Sequence, residues 1–441
     1  MDGVLAIARF WLPIAIFVAV FVGMFLERIE KALVTGLGAA AVLLLGLVPQ
    51  SQAFAAIDFE TLALLFGMMV IVEVTARGRL FALLSTKILR LTGGRPLLIF
   101  VLFVLNTLIL SSVLSNVTTI LIILPLTIEI TAGIGLNPRP FLVAEIVAAN
   151  VGGLLTLIGD PVNTIVGSAV GIGMFEFGYH LGIPVAILTA LTLLFLRFAH
   201  RAEFKDIRGD FLKVLHNMLV ITAVEERFEK FPVRRSQLWI SGGVLAGTIL
   251  GFAVADRIGL TPGVIALIGG VAALTLTHKT VPFHKVMEGV EWQTLIFFAG
   301  LFVVVGALES TGVLEMIAAG LAGVTTDPYV LLGILLVGTA VVSAVVDNVP
   351  FVTMMIPVMQ ALLAAGLFAA SPQVVWWTLS LGAVIGGLAS PYGSSANIVA
   401  VGVARKAGVA LPTGAYLRYS LPISAVGLLI SYAYLVAAYE L

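Results

Sequence analysis

Asp160 and Asp347 each stand in a stretch made almost entirely of Leu, Val, Ile, Gly and Ala. A charge at the centre of hydrocarbon costs at least about 2.5 kcal/mol, so an acid in such surroundings is a functional candidate by default. Each is flanked by groups able to hold a small solute. Gly159, Asn163 and Thr164 surround Asp160 in "TLIGDPVNT" (156–164), and Asn348 follows Asp347 in "VDNVP" (346–350). Ser115, Asn116, Thr118 and Thr119 fall in "SNVTT" (115–119), and Gly393, Ser394, Ser395 and Asn397 in "GSSAN" (393–397). Hydroxyls and amides hold a solute by hydrogen bonds, while Gly and Pro interrupt helices and free backbone groups at membrane depth. These residues are therefore expected to bind substrate, with Asp160 and Asp347 carrying protons or cations. Glu145 and, less centrally, Glu129 are secondary candidates on a proton path, and a Na⁺ ion would be held at Asn116, Asp160, Asp347 and Asn348. No Lys or Arg occurs in 96–138, 140–196 or 286–404, so the site is expected to hold no basic side chain and to repel an anion.

The elements that must position these groups are membrane helices. The chain is 60% hydrophobic and 11% charged, with a mean hydropathy of +1.14; a soluble domain carries roughly 25% charged residues. Apolar stretches long enough to cross the bilayer cover 10–26, 32–49, 60–76, 140–172, 180–198, 237–255, 262–278, 292–308, 374–404 and 416–438. Two more, 96–133 and 327–367, are interrupted by "SNVTT" and "VDNVP". If both are re-entrant hairpins and the N-terminus is external, only Arg9 and Arg257 of the 24 Lys and Arg residues lie outside. That obeys the positive-inside rule; letting the hairpins span breaks it. The expectation is a multi-pass protein of the inner (plasma) membrane with both termini external, lipid around it and no nucleic-acid partner at zero net charge.

The chain also repeats. "SNVTTILIILP" (115–125) aligns with "DNVPFVTMMIP" (347–357), "NVGGLLTLIGDPVN" (150–163) with "VIGGLASPYGSSAN" (384–397), and "TLALLFG" (61–67) with "TLIFFAG" (294–300). Each half contains an odd number of crossings, so the second copy must be inverted, the architecture of secondary transporters. The fold class is thus an all-α polytopic membrane protein: about ten transmembrane helices plus two re-entrant hairpins, in two inverted repeats whose broken helices meet at the midplane. The first repeat is 1–198 with hairpin 96–133 and broken helix 140–172; the second is 237–441 with hairpin 327–367 and broken helix 374–404. Residues 199–236 form a cytoplasmic connector, and "GRLFALLSTKILRL" (78–91) and "GVLEMIAAGLAGV" (312–324) are expected to lie in the interface.

"SNVTT", "IGDPVN", "VDNVPF" and "GSSANIVAVGVA" together resemble the ArsB/NhaD family of the ion transporter superfamily, including the branch of the melanosomal P protein. The resemblance implies an elevator-type secondary transporter that exports arsenite or antimonite, or exchanges Na⁺ for H⁺. It also implies a homodimer and, for some arsenite exporters, a soluble ATPase partner. The chain departs from the P-protein pattern at the first tip, where Ser115 stands in place of Asp. Proton-coupled arsenite efflux is the first expectation and Na⁺/H⁺ antiport the second. A passive channel and an intramembrane aspartyl protease are weaker readings, the latter lacking a GxGD and PAL pattern. The chain has no Cys and no G-x-x-x-x-G-K-[ST] motif, and its five His fall in loops or span ends. Thiolate metal sites and P-loop hydrolysis of ATP by this chain are excluded, and neither a histidine metal centre nor a cofactor is expected.

Overall fold

In a computed structural model the chain is described at residues 2–26, 28–77, 87, 91–93, 95–204, 217–223, 235–325 and 327–440. The first half contains α1 (Asp2–Leu26), α2 (Lys31–Leu44), α3 (Gln50–Ala55), α4 (Phe59–Arg77), α5 (Pro96–Ser111), α6 (Asn116–Gly133), α7 (Arg139–Gly153), α8 (Pro161–Val170) and α9 (Glu176–Ala199). The second contains α10 (Arg235–Ile258), α11 (Pro262–Thr277), α12 (Phe283–Gly289), α13 (Trp292–Glu309), α14 (Val313–Val324), α15 (Pro328–Ser343), α16 (Asn348–Ala364), α17 (Val374–Leu388), α18 (Ser395–Lys406) and α19 (Thr413–Ala438). There is no strand among the described residues. Six of these helices, α4, α6, α9, α10, α13 and α19, are long and apolar enough to cross a membrane.

The order of elements repeats. α5 and α6 form one hairpin and α15 and α16 the other; α7 and α8 form one broken helix and α17 and α18 the other. The counterpart of α14, expected at 78–91, lies outside the described residues except at 87 and 91, as does most of the connector 199–236. The halves interlock by exchange, with α2 against α13 and α11 against α4. Small residues permit this approach. A Cβ on Gly300 would stand 2.8 Å from the carbonyl carbon of Thr35, and one on Gly67 would strike the backbone of Ala266.

The interruptions fall a few residues from where the polar clusters suggested. The first hairpin turns at 112–115 and the second at 344–347, so "SNVTT" and "VDNVP" mostly begin helices. The reason is capping: the side chains of Ser115 and Asp347 accept backbone N–H groups of the turn that follows. Asp160 caps α8 in the same way, with Pro161 at the first helical position, where its missing N–H costs nothing. Short helices α3 and α12, at matching places before α4 and α13, were not anticipated.

Candidate functional site

Four helix N-termini meet at a cavity of about 380 Å³. Ser115, Asn116 and Thr118 come from α6, Asp160 from α8, Asp347 and Asn348 from α16, and Ser394 and Ser395 from α18. Each hairpin tip is tied to the break of its own half through one carboxylate. In the first half Asn116 Nδ2 donates to Asp160 Oδ2 at 2.8 Å, while Asp160 Oδ1 accepts the N–H of Val162 at 2.9 Å. In the second half Ser395 Oγ donates to Asp347 Oδ2 at 3.0 Å, while Asp347 Oδ1 accepts the N–H of Val349 at 3.3 Å. The acid sits on the break in one half and on the tip in the other. Where Asp160 caps α8, Ser394 stands before α18 with no side-chain cap bond, leaving that helix end open towards the cavity.

The remaining expected site residues stand behind this lining. Asn163 Nδ2 donates to the carbonyls of Gly153 and Thr156 at 3.1 and 3.0 Å; Asn397 Nδ2 donates to those of Gly387 and Ser390, both at 2.9 Å. Each amide thus satisfies carbonyls that its broken helix has freed. Thr164 Oγ1 donates to Leu157 O at 2.8 Å. Gly159 and Gly393 donate their N–H groups to the hydroxyls of Thr156 and Ser390, and a Cβ on either would lie 2.7 Å from two backbone oxygens. Thr119 and Glu145 are buried and do not line the cavity. Thr119, Gly159, Asn163, Thr164, Gly393 and Asn397, expected to touch the solute, are not among the residues lining the cavity; all but Thr119, whose hydroxyl has no partner, are bonded within the two breaks.

One expectation about charge is also corrected. Lys31, at the start of α2, reaches Asp347 Oδ2 at 2.6 Å and lines the cavity, so the site does contain a basic side chain. Lys31 belongs to a helix that carries none of the polar motifs, so nothing in its local sequence marks it. Glu30, Glu73 and Glu291 also line the cavity, from the edges of α2, α4 and α13. Glu73 could have been found, because it is an acid inside the expected span 60–76. It pairs with Arg77 at 2.6 Å. Carboxylates outnumber ammonium groups around the cavity, and no group of three or more His, Cys, Asp and Glu that could hold a metal occurs among the described residues.

Two halves with the same order of elements, a broken helix in each and a polar cavity where they meet are the architecture of a secondary transporter. The chain belongs to the CitMHS family, described as citrate transporters, which matches residues 21–382. It is 32% identical over 428 residues to an uncharacterized transporter of Mycobacterium tuberculosis, covering 96% of this chain and 97% of that one. It is 29% identical over 498 residues to the P protein of Homo sapiens, covering 96% of this chain and 59% of the human protein. The crystal structure of the YdaH transporter of Alcanivorax borkumensis, described as having an unusual topology, matches with a TM-score of 0.58. That match has 17% identity, covers 87% of this chain and 85% of the other, and carries the fold alone. The family is one of transporters, not enzymes.

Proposed function

We propose that this transporter exchanges a small cation, Na⁺ in the simplest case, for protons, with Asp160 and Asp347 binding each in turn. The observation that carries the reading is the presence of both carboxylates, one from each half, on a single cavity where acids exceed bases. When protonated, each acid can cross without a bound ion; when ionised, it favours a cation. Lys31 holds Asp347 in the present state and must yield when a cation takes its place. The lining residues Glu30, Lys31, Glu73 and Glu291 lie at the ends of α2, α4 and α13 that the charge rule assigns to the cytoplasm. The cavity is therefore read as open inwards, with both termini outside. The two hairpins and the two broken helices would move as a unit against the other spans, in the elevator manner.

A second reading has its own observation. Lys31 and the uncapped N-terminus of α18 both favour an anion, so a carboxylate-bearing solute accompanied by a cation, such as the citrate of the family description, is the alternative. Arsenite or antimonite, uncharged hydroxyl compounds at neutral pH, fit the hydroxyl lining but draw no support from the citrate-transporter family. A homodimer and a soluble ATPase partner rest on the motif resemblance alone. Everted vesicles carrying a pH-sensitive dye test the reading: Na⁺ should evoke proton movement, and Asp160→Asn or Asp347→Asn should abolish it with the protein still folded. Citrate or arsenite uptake without any Na⁺-evoked proton movement would overturn it.

A further inference from the structure

Glu145 lies within α7, is fully buried and plays no part in the cavity. Its Oε1 accepts the hydroxyl of Thr127 at 2.6 Å, and its Oε2 has no partner. A buried carboxylate with a single donor is poorly compensated, so the uncharged acid is the form that suits this place. None of the ionisable groups on helices packed against α7 pairs with it. α5 and α17 carry none. Glu129 on α6, Glu176, Tyr179, His180 and Arg197 on α9, Arg405 and Lys406 on α18, and Tyr416, Arg418, Tyr419, Tyr432 and Tyr434 on α19 make no hydrogen bond or ion pair with it among the described residues. Arg139, at the start of α7 itself, donates to Ala410 O at 3.0 Å.

The second half supplies a control, because the same helices recur there. The positions equivalent to Thr119, Thr127, Glu145 and Asn150 are held by Phe351, Met359, Leu379 and Val384, all buried. At these four positions the second half carries an apolar seam and the first a polar one. Asn150 ties the polar seam to the second broken helix. Asn150, further along α7, donates to Ile146 O at 2.8 Å and to Asn397 Oδ1 at 2.9 Å, and its own Oδ1 has no partner. Asn163 Oδ1 and Thr119 Oγ1 are buried and unpartnered as well, near Asp160 and Asn116 in sequence. Buried oxygens without partners are what ordered water bridges.

We propose that Glu145 is a second proton-binding site, apart from the cavity and loaded from it through the seam of Thr119, Asn150 and Asn163. The proposal rests on proton coupling as read above, but its test needs neither solute nor flux. Infrared spectra of the purified full-length protein should show, at neutral pH, the C=O stretch of an uncharged carboxylic acid. Glu145→Gln should remove that component and Asp160→Asn should leave it. Glu145→Leu, which copies Leu379 and keeps the packing, should remove it too. Raising the pH should bleach the band reversibly, and D₂O should shift it, as water access through the seam requires. A spectrum that Glu145→Gln leaves unchanged, or a band that neither alkali nor D₂O alters, overturns the proposal. Vesicles that show no proton movement while the band behaves as expected overturn the transport reading instead.

Discussion

The pair formed by Lys31 and Asp347 decides how the cavity treats charge. The two residues are 316 positions apart and the pair is part-buried, at 2.6 Å. Nothing in local spacing links them, which is why the acids were legible in the sequence and their ammonium partner was not. Asp160 and Asp347 announce themselves because a carboxylate among Leu and Val needs a reason; a lysine at a helix start does not. If Lys31 competes with a cation for Asp347, then Lys31→Gln should lower the half-saturating Na⁺ concentration. A partly exposed pair is worth about 1 kcal/mol at most, so the shift should be roughly fivefold or less. An unchanged or raised value, measured in proteoliposomes, would contradict competition. The amides behind the lining behave differently. Asn163→Ala should cost about 1–3 kcal/mol of stability by leaving two carbonyls unsatisfied, seen as a lower melting temperature rather than as a selective loss of cation affinity.

Among the elements, the two broken helices are built alike. In the first, Thr156 links Ser112 O to the N–H of Gly159; in the second, Ser390 links Ala344 O to the N–H of Gly393. The repeated sequences disclosed both breaks, since Gly159 aligns with Gly393 and, three residues before them, Thr156 aligns with Ser390. Their positions were legible only to within a few residues, because capping by Ser115 and Asp347 draws the tips' polar residues into the following helix. The short helices α3 and α12, six and seven residues long, carry too little periodicity to be seen. Gly159→Ala and Gly393→Ala should both be destabilising, by about 1–3 kcal/mol each, since a methyl group has two backbone oxygens to displace at either site. Thermal unfolding of the two variants checks this; a large loss at one with none at the other would show that the breaks are not equivalent.

At the scale of the whole molecule, composition and internal repetition were enough to give an all-helical, two-fold transporter. The order of elements bears this out: among the described residues each helix of the first half has a counterpart in the second, with α2 and α11 exchanged between halves. Side identity is a separate matter, resting on the placement of Lys and Arg. The absence of Cys makes it straightforward to test. Gln373→Cys should react with an impermeant maleimide from outside intact cells, and Lys406→Cys only after permeabilisation. The reverse pattern would invert the topology and turn the cavity outwards.

The central claim is that acids from opposite halves serve one cavity, and cross-linking reads it most directly. Asp160→Cys and Asp347→Cys would be combined, with a protease site inserted in the segment 205–216, and treated with a short bifunctional thiol reagent. The account predicts that after cleavage the two halves stay joined on a denaturing gel, and separate when either cysteine is omitted. Halves that always separate, although each cysteine is modified, would mean that the two carboxylates do not share a site.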